Sequence, residues 1–282
     1  TTPPPPKPGL KNLWSYTTGG EVYGVAVNQD RVAAVSWDGR VRLIAINGSL
    51  LWEKKLQGSV EDVGMSQNGA YIAVTSFLYP KGKLYLIDER GKVLWERDVP
   101  QSKGVDVGDD GQAVLASTDG AVRLFSKTGA PSWELKLEKS AWGAWDVALG
   151  SGTVAVGGDD AYVYLLEPKG TVLWKATAGE KSYIYGVAVS DGRVATASPA
   201  WYIYLSEDGR LRWKYKTGGS NYGVAITQGY VAAGSWDNNI YLLDMEGRLL
   251  GQYPMGGHVN KLSFSPDGRY LAAGSSDGSV YL

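Results

Sequence analysis

Tryptophan recurs along this chain at positions 14, 52, 95, 133, 174 and 213, and the next place in the series falls on Tyr253. The spacings of 38, 43, 38, 41, 39 and 40 residues match the repeat length of a four-stranded blade stacked radially about an axis. A repeat of that length cannot bury its apolar faces alone, so the period by itself demands a closed array of equivalent sheets.

Each interval repeats one internal order. An inner segment of small and branched residues comes first (VYGVAV at 22–27, IYGVAV at 184–189, NYGVAI at 221–226), then a turn and RVAAVS or its kin. A second turn, often Asp-Gly, leads into VRLIA, VYLLE or IYLLD, and a third turn containing Gly leads into LLW or its kin. Period-2 alternation, β-branched and aromatic enrichment and Gly-bearing turns at these intervals predict short antiparallel strands and no helix. The fold class is therefore all-β, a seven-bladed β-propeller of four-stranded antiparallel blades.

The seventh copy begins at Val259 and stops at Leu282 without a fourth strand, whereas residues 8–16 carry the Gly turn and terminal Trp of a fourth strand with nothing before them. The two ends are expected to share one blade, which closes the ring and removes its open edges. The expected organisation is a Pro-rich spacer at 1–7 and one propeller at 8–282. Blades one to six span 17–52, 53–95, 96–133, 134–174, 175–213 and 214–253; residues 254–282 supply the inner strands of the seventh, and 8–16 its outer strand. The recurrent tryptophans are expected to fill the wedges between sheets, since each ring brings 150–250 Å² of burial.

At 84–95 (LYLIDERGKVLW), 163–174 (VYLLEPKGTVLW) and 240–251 (IYLLDMEGRLLG) the repeat resembles the PQQ-like, pyrroloquinoline-quinone-type propeller repeat, and the likeness runs from Leu10 to Leu282. SFSPDGRYLAAGSSDGSVYL at the C-terminus also looks like a WD-repeat blade. The first resemblance implies a family holding quinoprotein dehydrogenases, outer-membrane assembly scaffolds and binding proteins. Its dehydrogenase branch implies a quinone at the propeller centre, a calcium ion with carboxylate and amide ligands, an Asp base and often a vicinal cysteine pair. This chain has no cysteine and no compact cluster of acidic and Asn residues, and its blades number seven rather than the eight of the large alcohol enzymes. The expectation is thus no cofactor, no metal and no catalytic residue.

A formal charge of −1 gives no basic field to gather phosphates, so nucleic acid is not an expected partner. No apolar run approaches a membrane span. The tract TTPPPPKPG favours stiff polyproline II, the kind of spacer that separates an extracellular domain from an anchored N-terminus, and Asn47-Gly48-Ser49 is a glycosylation acceptor sequence. An extracellular or cell-surface location follows as an expectation, with a cytoplasmic one as the alternative.

Loops joining the second to the third strand of a blade, and those joining one blade to the next, open on one face of a propeller. Sorting the aromatics outside the repeat into those loops gathers Trp37, Phe77, Tyr79, Trp142, Trp145, Tyr183, Tyr185, Trp201, Tyr222 and Trp236, with Tyr23 close by, as a candidate rim for a protein or carbohydrate surface. Asp38, Asp62, Asp146, Asp160 and Asp237 are expected to stand between the rings. One inner-strand column reads Gly24, Asp62, Gly104, Asp146, Gly186, Gly223 and Lys261, so its three charges are expected to meet in the channel. The only histidine, His258, cannot build a multi-histidine metal site, and the run DVGDDG at 106–111 sits in an ordinary strand-turn-strand slot. The resulting expectation is a non-catalytic binding or structural module, as a homo-oligomer or within a surface assembly or filament. The alternatives are a quinone- or calcium-dependent sugar or alcohol oxidoreductase and a cytosolic scaffold of the WD-repeat type.

Overall fold

The computed structural model describes residues 9–137, 143–150, 152–177 and 183–282. The spacer at 1–7 and Trp142 lie outside these residues. The described residues form twenty-eight strands, β1 to β28 in chain order, and no helix. They group into seven four-stranded antiparallel sheets. In six of them the strands follow chain order from axis to perimeter. The innermost are β2 (Val22–Val27), β6 (Ser59–Met65), β10 (Ser102–Val107), β14 (Ala144–Gly150), β18 (Gly186–Ser190) and β22 (Asn221–Ile226).

The seventh sheet has the order β1-β28-β27-β26, with β1 (Ser15–Thr17), β26 (Val259–Phe264), β27 (Leu271–Ser275) and β28 (Ser279–Tyr281). Ser15 faces Tyr281 and Thr17 faces Ser279, and Leu13 N–H donates to Leu282 O at 2.7 Å. The ring is closed by the two extremities of the chain pairing in one blade. Consecutive inner strands touch all the way round, including β26 with β2.

The core is seven slabs rather than one ball. Each apolar cluster draws on two neighbouring blades: Val41 and Leu43 of the first pack with Ile72, Val74 and Ile87 of the second. Val25, Val32 and Ile44 of the first likewise pack with Ala272, Val280 and Leu282 of the seventh. Both faces of every middle strand are buried, which is why those strands read as nearly unbroken apolar runs.

The recurrent tryptophans sit on the outermost strands and are half-buried, forming latches at the perimeter. In five blades the third turn is a three-residue loop ending in a glycine of positive φ, the bulged hairpin that needs a left-handed residue at that place. The indole of the preceding blade lies on that glycine; a Cβ on Gly129 would stand 2.9 Å from the Trp95 ring. Its Nε1–H donates to the carbonyl of the first loop residue: Trp14 to Ile46, Trp52 to Glu89, Trp95 to Lys127, Trp133 to Pro168 and Trp213 to Met245, all at 2.8–3.0 Å. Trp174 makes no such bond, because the fifth blade closes this hairpin with the two-residue turn Asp208-Gly209 and has no third loop residue. In the sixth blade the register of the tryptophans falls on Gly251, opposite Leu242, rather than on Tyr253. The Tyr253 ring folds back over Gly251, so the same perimeter space is filled from two residues further on.

Candidate functional site

Six of the seven inner strands begin with the same irregularity. Where each pairs with the second strand the register skips one residue, so that two inner residues oppose one: Val22 pairs Ser36 and Gly24 pairs Val35, leaving Tyr23 as the extra residue. The same skip leaves out Glu61, Lys103, Trp145, Tyr222 and Asn260. In the fifth blade Tyr185 N–H donates to Ala197 O, the residue that Gly186 faces. A bulge twists a strand and re-aims the extra side chain. Six bulges at one level, with Tyr185 just ahead of the fifth inner strand, therefore set Tyr23, Glu61, Lys103, Trp145, Tyr185, Tyr222 and Asn260 in a ring around one mouth of the channel.

The ring divides into two arcs. Trp145, Tyr185 and Tyr222 stand with centroids 4.8 and 4.9 Å apart, and Tyr222 stacks on Trp236 at 4.4 Å and 10°. Trp236 in turn stacks on His258 at 5.1 Å, and Tyr183 lies 6.2 Å from Tyr185. On the other arc Lys103 Nζ is 2.6 Å from Glu61 Oε2. Asn260 Nδ2 donates to Glu21 Oε1 at 3.1 Å, and the Tyr23 hydroxyl donates to Glu21 Oε2 at 3.3 Å. Burial, then the charge and hydrogen bond of Glu21 and the charge of Glu61, push the Tyr23 hydroxyl up to about 12. Burial also raises Tyr185 and Tyr222.

Of the aromatics expected at the rim, the structure brings Trp145, Tyr183, Tyr185, Tyr222 and Trp236 into one continuous stack, and seats Trp37, 63% exposed, 5.4 Å from Tyr23. Phe77, Tyr79 and Trp201 stand apart from it. Phe77 and Tyr79 belong to the long hairpin of β7 (Tyr71–Leu78) and β8 (Lys81–Asp88), whose tip leaves Tyr79 86% exposed. Trp201 adopts a left-handed backbone, φ 72°, and lies 5.7 Å from Lys216 Nζ.

The carboxylates expected between the rings are corrected. Asp38 holds its own turn through Ser36 and the Arg42 guanidinium. Asp160 accepts from Tyr164 Oη and Asp237 from Tyr241 Oη, both at 2.5 Å. Burial pushes Asp38 upward, but the Arg42 and Ser36 hydrogen bonds outweigh it and hold the carboxyl at about 2. Each of these carboxylates is engaged in holding its own turn. The recurring Asp-x-x-x-Arg/Tyr spacing at 38, 119, 160, 237 and 277 was the signal for that role.

One residue below the ring, the charged column closes the axis. Lys261 Nζ lies 3.2 Å from Asp62 Oδ2 and 2.8 Å from Asp146 Oδ1, joining the seventh blade to the second and fourth. Glycines in the same column give the charges room: a Cβ on Gly104 would stand 2.6 Å from Asp146 Cα, and one on Gly223 2.7 Å from Lys261 Cα. Sequence reasoning missed Asp106, two residues past Gly104, which belongs to the same device. Asp62, Asp106 and Asp146 accept the N–H of Val105, Leu149 and Val187 respectively, at 2.8–3.1 Å. Carboxylates thereby satisfy free inner edges of the next blade.

Burial pushes Asp106 up to about 7. Burial and the Asp146 charge, opposed by Lys261, take Asp62 to about 6. Burial works against the Lys261 ammonium, but the Asp146 and Asp62 charges overcome it and raise its pKa. Beyond this layer, on the face opposite the bulge ring, lies a cavity of about 620 Å³. Lys261 and Asp106 line it, together with Thr227, Ser263 and Asp267.

Among the described residues no group of three or more His, Cys, Asp or Glu side chains gathers closely enough to hold a metal ion, and no helix is long and apolar enough to cross a membrane. Asn47 is exposed on its turn, its Oδ1 accepting from Ser49 N–H and Oγ–H.

The family profile described as outer membrane protein assembly factor BamB matches residues 9–117 and again 118–280. No curated protein matches the chain.

Proposed function

The chain belongs to this PQQ-like propeller-repeat family, and from that premise we propose that it is a non-catalytic binding module whose bulge-ring face docks a partner protein in the cell envelope. The supporting observation is the bulge at the same place in successive blades. A fold needs its inner strands regular to pair; an extra residue repeated at one rim costs ladder bonds and is retained where it re-aims side chains. The side chains so aimed are rich in Tyr and Trp, the residues that dominate contact energies at interfaces.

The family description names a factor that assists the assembly of other proteins, which favours a polypeptide over a glycan as the occupant. It also favours a location outside the cytoplasm, where the Asn47 acceptor site and a polyproline spacer would have a use. A homo-oligomer or a surface array is the same reading with a second copy as partner.

Site-specific photo-crosslinking tests it in the cells that make the protein. Benzoylphenylalanine placed at Trp37, Tyr183 or Trp236 is expected to give one discrete adduct of defined mass, while the same group at perimeter positions Leu51 or Leu173 gives none. Adducts from the perimeter and none from the rim would put the docking face elsewhere.

A further inference from the structure

Charge is unevenly spread through this molecule. The whole chain carries a formal −1, yet around the bulge-ring end of the axis Glu61, Asp62 and Asp146 stand against Lys103 and Lys261, and Glu21 stands directly before β2. The two lysines are already committed, Lys103 to Glu61 and Lys261 to Asp62 and Asp146. Glu21 meets only neutral donors, Tyr23 and Asn260. Asp62 Oδ1, in a residue 2% exposed, has no hydrogen-bond partner. Carboxylates set around one axis add their fields toward the opening.

The rings at that opening present faces of partial negative charge, which neutral stacking partners leave uncompensated. We infer that the bulge-ring mouth takes an organic cation, an ammonium or guanidinium group, seated among Tyr23, Trp145, Tyr185 and Tyr222 and drawn in by Glu21 and the carboxylates beneath. A sugar ring gains from the aromatic faces but nothing from the field; a cation gains from both. The group is carried by a Lys or Arg side chain of a partner polypeptide or by a free polyamine. This inference rests on the rim being the binding face and names what the face selects.

Titration of the purified chain, followed by calorimetry and by tryptophan fluorescence, separates these cases. The probes are hexalysine, hexaarginine, spermidine, hexaglutamate and maltohexaose at two salt concentrations. The expected result is saturable one-site binding of a cationic probe, weakened by salt, and weakened about tenfold by Glu21→Gln or Tyr222→Leu. Glu246→Gln, an exposed acid on the perimeter, leaves it unchanged. Peptides binding without spermidine assigns the site to a polypeptide side chain, and spermidine binding as tightly as the peptides assigns it to a free amine. Should Tyr222→Leu fail to fold, Glu21→Gln still decides.

Equal losses in Glu21→Gln and Glu246→Gln would reduce the effect to general acidity and overturn the inference. Saturable maltohexaose binding without cation binding would overturn it while leaving the rim as a docking face. An absence of cation binding beside rim crosslinks would do the same, whereas failed crosslinking strikes at the docking reading itself.

Discussion

At the scale of single residues, Lys261 is the most consequential side chain in the molecule. It reaches across the axis to two carboxylates that are each 2% exposed, so removing it leaves paired negative charges with no counterion. Lys261→Met is expected to cost about 3–5 kcal/mol at pH 7.5 by urea denaturation. It is expected to recover part of that at pH 5, where Asp62 takes up a proton. The unsubstituted protein should itself show the trend. Asp62 and Asp106 have folded values near 6 and 7, above the ordinary carboxylate value of 3.8. Their stabilising contribution is complete below about pH 4 and lost as pH rises through 6–7. Asp106 also lines the open cavity, where solvent screens part of the penalty, so the fall between pH 5 and pH 8 is expected to be on the order of 2 kcal/mol. Asp106→Asn flattens it, and a slope unchanged by that substitution would remove Asp106 from the account. The carboxylates held low, such as Asp38 at about 2, titrate below this window. The meeting of Asp62, Asp146 and Lys261 was legible because a fixed repeat places one column at one height. Asp106 was not, since it lies two residues down the strand in a column otherwise filled by Ala, Gly and Ser. Glu61, Lys103 and Asn260 could have been read from the column of Tyr23 and Tyr222, but a bulge leaves no mark in an alternating pattern.

At the scale of the strand and its turn, the sequence specified almost everything, because a blade face packed on two neighbours tolerates only small and branched residues. What it left open was what else the periodic tryptophans do. They pack, half in solvent, against the apolar clusters between blades as expected, and all but Trp174 also tie their strand by a hydrogen bond to the next blade's hairpin. Their spacing follows the outer strand in either case, so periodicity could not separate the two roles. The turn lengths could have. Trp95→Phe removes the donor to Lys127 O and is expected to cost about 1 kcal/mol, while Trp174→Phe, with no carbonyl to lose, costs a few tenths. Chemical denaturation of the two variants side by side gives the answer; equal losses would mean the indole acts by packing alone.

At the scale of the whole molecule, stability depends on the seventh blade, where a three-residue strand and three further backbone bonds close the ring. Deleting residues 1–17 exposes the edge of β28, and the truncated chain is expected to unfold several degrees lower and to dimerise through that edge, as read by calorimetry and sedimentation. A circular permutant whose Leu282 joins Leu13 by a three-residue Gly-bearing loop, with new ends in the turn between Asn28 and Arg31, is expected to keep its midpoint and to gain no edge-to-edge association. If truncation proves harmless, the closure is decorative. The seam also fixes a polarity. Leu13 and Leu282 lie together at the third-turn end of their blade, on the side where the cavity opens, while the bulge ring looks the opposite way. The described chain therefore enters and leaves the disc from the side opposite the aromatic face.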